Sequence, residues 1–133
     1  MFEMESIHHV SLSITNLERA KYFYGTILGF QEIKRPDFDF PGAWYQIGNQ
    51  QLHLIVHPAS DTLREGDIQT KDGHFAIRVK DYEKTLQYLK NKEIEIVEKP
   101  NSDSGFAQIF CMDPDRNLIE LNVDQAMLRQ KND

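Results

Sequence analysis

One short pattern occurs twice in this chain, and it limits the folds available more than any other feature. In His9-Val10-Ser11-Leu12-Ser13-Ile14 apolar residues alternate with polar ones. In His74-Phe75-Ala76-Ile77-Arg78-Val79 the alternation returns, again opening on histidine. Period-two alternation is the mark of a β-strand with two different faces. Each strand is followed by matching text, Asn16-Leu17-Glu18 and Asp81-Tyr82-Glu83, in which Asn or Asp can cap a helix that then carries an acidic first turn. A chain that restarts in this way is built from two copies of one supersecondary unit.

Read in order, the first copy predicts a strand at about 7–14 and a helix from Leu17 through Leu28, stopped by Gly29. A short strand at Phe30–Lys34 follows. The loop Arg35-Pro36-Asp37-Phe38-Asp39-Phe40-Pro41-Gly42 comes next, and then a strand pair, Ala43–Ile47 and Gln51–Val56. The aromatics of that loop either line a pocket or anchor the loop itself. The second copy predicts strands at His74–Val79, Ile94–Glu98, Phe106–Met112 and Leu118–Val123, with a helix from Asp81 to about Lys92. The fold class expected is α+β: two tandem βαβββ modules forming a cupped mixed sheet around a metal site. Module one covers about 5–57, a linker about 58–72, module two about 73–123 and a tail helix about 124–131. An open four-stranded sheet leaves edges that a neighbour can cover. Pairing within one chain and pairing across a homodimer both satisfy the pattern.

Composition narrows the function classes. The chain has 133 residues and a net charge of −6, a balance that argues against a general nucleic-acid or anionic-membrane binder. It has no apolar run long enough to span a bilayer, and its acidic start, Met-Phe-Glu-Met-Glu-Ser, lacks a signal-peptide pattern, so a cytoplasmic protein is expected. The single cysteine, Cys111, follows a mostly apolar run and reads as a buried thiol.

Alternation also selects the candidate site. If Leu52, Leu54 and Val56 face the helices, His53 faces away from them, and by the same rule Ile119, Leu121 and Val123 leave Glu120 on the other surface. His9, His53, His74 and Glu120 then all lie on the concave side, on the first and last strand of each module. A single histidine on a strand is most often a core or rim residue, but four matching positions ask for a common reason. Imidazole nitrogens and a carboxylate suit zinc, nickel, cobalt, manganese or iron(II), with water completing the shell of a Lewis-acid site. His8 and His57 fall outside that register and read as structural or solvent-exposed.

Longer stretches carry a resemblance. They are His9 through Ala20, Phe23-Tyr24-Gly25-Thr26-Ile27-Leu28-Gly29-Phe30, Gly73 through Val79, and Phe110-Cys111-Met112-Asp113-Pro114-Asp115-Arg116-Asn117-Leu118-Ile119-Glu120-Leu121. Together they resemble the vicinal oxygen chelate superfamily, which includes glyoxalase I, bleomycin-resistance, fosfomycin-resistance and extradiol dioxygenase proteins. The resemblance covers about 5–123 and implies a single glyoxalase-like domain with a divalent metal chelated by substrate oxygens. It places metal positions on His9, His74 and Glu120, with the fourth on His53. Glyoxalase I resembles this chain except that a glutamate stands where His53 is, leaving Glu120 as ligand and base. The glyoxalase I arginine that holds glutathione's carboxylate falls on Ser13 here. Arg78, at the equivalent place in the second module, either holds an anionic group or makes a surface ion pair. The segment Phe40-Pro41-Gly42-Ala43-Trp44-Tyr45 resembles a broad glyoxalase-like branch, so Phe40, Trp44, Ser13 and Arg78 are the candidate substrate contacts, with Glu120 and His53 as catalytic candidates. The function implied is a metal-dependent glyoxalase-like enzyme of lyase or isomerase type, acting on a small oxygenated, anionic substrate; the open module edges add the expectation of a homodimer. Fosfomycin-type thiol transfer, extradiol-type ring cleavage and metal-free drug sequestration are the alternatives.

Overall fold

The computed structural model describes residues 1–57 and 65–132. It is α+β, two tandem modules with the same element order. Module one contains β1 (His9–Ile14), α1 (Leu17–Lys21), β2 (Gln31–Ile33), β3 (Gly42–Ile47) and β4 (Gln50–Val56). Module two contains β5 (Phe75–Arg78), α2 (Tyr82–Asn91), β6 (Ile96–Lys99), β7 (Phe106–Met112) and β8 (Leu118–Asp124), followed by α3 (Gln125–Asn132). The chain divides into two compact units, Met1–Thr62 and Leu63–Asp133. Each holds one four-stranded sheet, in the orders β1-β4-β3-β2 and β5-β8-β7-β6. In both, the first strand runs parallel to the last and the other pairs are antiparallel. Among the described residues no helix is long and apolar enough to cross a membrane.

The two helix starts are built alike. The Asn16 side chain accepts the Arg19 backbone N–H at 2.9 Å, and the Asp81 side chain accepts that of Lys84 at 3.0 Å. Each satisfies a donor the first helical turn leaves open. The first helix then departs from expectation: beyond Lys21 it widens into a π-helical turn, Tyr22–Ile27, in which the Leu28 N–H donates to the Phe23 carbonyl at 2.9 Å. The wider turn turns two adjacent rings, Phe23 and Tyr24, into the core together, perpendicular and 5.0 Å apart. Gly25 lies beneath Tyr45, where an added Cβ would stand 3.7 Å from the phenol oxygen.

The first core gathers Ile14, Ala43, Tyr45, Leu52 and Leu54 with Ala20, Phe23 and Tyr24. The second gathers Ala107, Ile109, Cys111, Ile119, Leu121 and Val123 with Tyr82, Leu86 and Leu89. Cys111 is fully buried, and burial together with Asp113 pushes its thiol up to about 12. Residues 58–64 of the expected linker lie outside the described residues. Its later part belongs to the second unit: Ile68 is buried with Phe110 and Leu118, and Lys99 donates to the Thr70 hydroxyl at 2.9 Å.

Candidate functional site

Register decides which side chains share a surface. In the first sheet Ser11, His53 and Trp44 stand side by side on β1, β4 and β3, so His53 is the middle of a row. The Trp44 ring lies against one face of the imidazole at 3.9 Å and 3°, and the His9 ring against the other at 4.1 Å and 17°. Between these plates His53 is 7% exposed. Its Nε2 donates to the Gln51 side-chain oxygen at 2.8 Å, which leaves Nδ1 with the lone pair of a neutral ring. Burial first, then His9, His8 and Arg35, hold its pKa below the usual imidazole range. The neutral form is the one that can bind a metal. His9 is exposed, and its Nδ1 shares a hydrogen bond with Nδ1 of His8 at 2.8 Å. Ser13 is exposed on the His9 side of β1. Phe40 stacks on Phe38 at 5.0 Å, and Phe38 lies 6.2 Å from Trp44, so the ring row extends into the loop before β3. His57, past the end of β4, is exposed, as the sequence suggests.

In the second sheet the expected strand start shifts by one residue. His74 stands just outside β5, where its Nδ1 lies 2.7 Å from the Asp72 carbonyl oxygen. Its Nε2 faces Glu120 Oε1 at 3.1 Å, and the edge of the ring meets Phe110 at 5.4 Å. Glu120, 5% exposed on β8, is held by two amides: Gln108 donates to Oε1 at 3.1 Å and Asn122 to Oε2 at 2.5 Å. Arg78, paired with Asn122 in register, donates to its side-chain oxygen at 2.7 Å, pairs with Asp124 at 3.3 Å and lies over the Phe106 ring.

The structure thus brings His9 and His53 together, and His74 and Glu120 together. Neither unit by itself, among the described residues, gathers three or more His, Cys, Asp or Glu side chains as a metal cluster. The His74–Glu120 pair nevertheless has the chemistry of a cation site. A carbonyl only accepts, so Nδ1 carries the hydrogen, and the lone pair of a neutral ring at Nε2 then points at a carboxylate oxygen. With the ring neutral, two acceptors face each other at a buried carboxylate whose other partners are neutral amides. A cation between them, or a proton on Nε2, removes the conflict. The residues fit a divalent metal.

The sequence reading passed over Gln51, Gln108, Asn122 and the Asp72 carbonyl, which set the orientation of these donors. Gln51 and Asn122 share the alternation phase of His53 and Glu120, and that was their one legible signal. Arg35, whose charge reaches His53, had none beyond its place in the loop.

Residues 6–121 match the family described as the Glyoxalase/Bleomycin resistance protein/Dioxygenase superfamily. The chain belongs to that superfamily. Within the glyoxalase superfamily it is 29% identical to Glyoxylase I 4 of Arabidopsis thaliana over 89% of this chain and 70% of that protein. It is 25% identical to a lactoylglutathione lyase of the same plant, over 85% of this chain but only 42% of the relative's length. It is also 24% identical to the mitochondrial methylmalonyl-CoA epimerase of Bos taurus, over 95% of this chain and 77% of the epimerase. A solved glyoxalase-family structure from Bacillus anthracis matches with a TM-score of 0.80 and 25% identity, covering 93% of this chain and 98% of that one. The superfamily fold is therefore shared along nearly the whole chain.

Proposed function

We propose that this chain is a metal-dependent glyoxalase-like enzyme of lyase or isomerase type, acting on a small oxygenated, anionic substrate. The observation that carries the reading is the His74–Glu120 pair, an imidazole nitrogen aimed at a buried carboxylate with neutral amides as its other partners. Relatives named as a lyase and an epimerase support the reaction type. His9, His53, His74 and Glu120 would hold zinc, nickel, cobalt, manganese or iron(II). When bound, such an ion supplies Lewis acidity to vicinal oxygens of the substrate.

The chain's own groups have distinct tasks. The Asp72 carbonyl keeps the hydrogen on Nδ1 of His74, so Nε2 is the donor atom. Gln108 and Asn122 hold the Glu120 carboxylate in one orientation, from which it can take a proton from a carbon beside a substrate carbonyl. His53 offers a neutral nitrogen in a fixed plane, and carries no charge with which to act as a carboxylate base. Trp44 and Phe40 supply apolar walls, and Ser13 and Arg78 polar contacts.

Metal titration with elemental analysis tests this reading. Roughly one ion should bind per site, and His74→Ala should bind it far more weakly, since a lost ligand removes most of the affinity. Unchanged metal content in His74→Ala overturns the assignment. A homodimer belongs to the same reading, because each sheet is open-ended. Light scattering that gives a 15.5 kDa particle at every concentration overturns it.

A further inference from the structure

We propose that Arg35 recognises a carboxylate on the substrate, at the loop end of the ring row that leads to His53. This deepens the glyoxalase-like reading and rests on it for the reaction. Arg35 has a built seat. Its guanidinium carbon lies 4.8 Å from the centre of the Phe38 ring and 5.0 Å from that of Phe40, and Nη2 donates to the Phe40 carbonyl at 2.8 Å. Gly42 leaves the room for it: a Cβ there would meet the Leu54 carbonyl oxygen at 2.3 Å and Arg35 Nη2 at 3.1 Å.

The seat is incomplete as a structural brace. Nε is buried with no hydrogen-bond partner, which costs stability. Among the described residues no carboxylate pairs with Arg35, although Asp37 and Asp39 share its loop. Arg78 shows the contrast, with Asn122 and Asp124 engaging its guanidinium. An arginine held by two rings and a glycine, yet left without a counter-charge, is set to receive one. Nη1 lies outside the buried set and has no partner among the described residues, so the anion docks end-on there. From that point the row Phe38, Trp44, His53 runs at 6.2 Å and then 3.9 Å, a surface for the flat part of a carboxylic acid.

Trp44 is the one tryptophan of the chain and reports on this place directly. Its emission is titrated with benzoate and with benzamide at constant ionic strength, on metal-loaded and on chelator-treated full-length protein. Benzoate should change the emission saturably in both forms, with benzamide about tenfold weaker or more, and Arg35→Gln should erase the difference. Arg35→Lys keeps the charge without the planar fork and should retain part of the preference. Equal response to benzoate and benzamide overturns the proposal. So does a preference that Arg35→Gln leaves intact, or one confined to metal-loaded protein, which would place the carboxylate on the metal. If Arg35→Gln fails to fold, the Arg35→Lys titration decides: a preference unchanged from the native chain, or none at all, overturns it. Metal content is measured on every sample. Normal metal with no benzoate preference sinks Arg35 alone, and absent metal with an Arg35-dependent preference sinks the metalloenzyme reading alone.

Discussion

His53 and Glu120 occupy the same place in their modules, on the last strand beside the first, and their surroundings differ in kind. His53 is clasped by two flat rings, Trp44 and His9, with one amide oxygen at its edge. Glu120 is gripped by two amide donors and faced by one imidazole. Stacking fixes a plane while leaving the ring neutral, whereas hydrogen bonds from amides fix the position of a charge. One backbone plan, used twice, thus holds a neutral imidazole in the first module and a carboxylate in the second. The arginines follow the same division: Arg35 sits between rings with no carboxylate, and Arg78 has an amide and a carboxylate.

The largest test removes that asymmetry. His53→Glu places a carboxylate in both modules. If the site accepts the methylglyoxal–glutathione adduct, isomerase activity should rise by about a hundredfold or more from a weak or absent native level, the range of a positioned general base. Ultraviolet absorbance of the thioester follows it. Robust activity of the unaltered chain would contradict the role given to His53, and if Ser13 is the larger defect, Ser13→Arg will be needed beside it.

The second test weakens the anionic half without touching a proposed ligand. Asn122→Leu removes the 2.5 Å donor to Glu120 Oε2 and should lower metal affinity about 10–100-fold. Gln51→Leu, the counterpart beside His53, should cost less, because the stacked rings still hold the imidazole. Equal losses, read by competition with a metal-binding dye, would mean that stacking orients nothing.

A smaller effect appears at high pH, where a thiol and two phenols are buried in the cores. In the folded chain Cys111 is raised from 9.0 to about 12, and Tyr45 and Tyr82 from 10.0 to about 12, all chiefly by burial. A group raised in the fold contributes stability that is full below its unfolded pKa and is lost as pH climbs toward the folded one. Thermal midpoints should therefore fall from about pH 9 upward, and Cys111→Val should delay the onset toward the tyrosine range. An unchanged onset in that variant would show that the thiol has no part in it.

The smallest effect belongs to the Tyr45 hydroxyl, buried without a partner in the first core. Tyr45→Phe removes an unsatisfied group and should change stability by less than about 1 kcal/mol, in either direction. A loss of several kcal/mol in a denaturant titration would mean that the hydroxyl has a partner after all.

How much could be read in advance differs by residue. The strands bearing His9, His53 and Glu120 were legible because alternation is a local, period-two property, and the capping roles of Asn16 and Asp81 were legible for the same local reason. His74 was assigned to a strand that starts one residue later, because the Asp72 carbonyl that holds it is a matter of how the preceding chain turns. The linker was read as separate, yet Ile68 packs into the second unit.

The sequence by itself determined the repeat, the helix starts, the superfamily and which residues lie on each strand face. The helix starts and strand faces depend on neighbours a few positions apart, where sterics and side-chain direction leave little choice. The repeat and the superfamily depend on longer runs of text that the sequence itself shows. Tertiary structure decided the rest. The choice between α and π turns after Lys21 depends on which rings the sheet can admit. The partners of Glu120 depend on register across β7 and β8, and the seat of Arg35 depends on a glycine on β3 and two rings from the loop before it. Such contacts join residues whose separation along the chain carries no period, so only the folded geometry selects them.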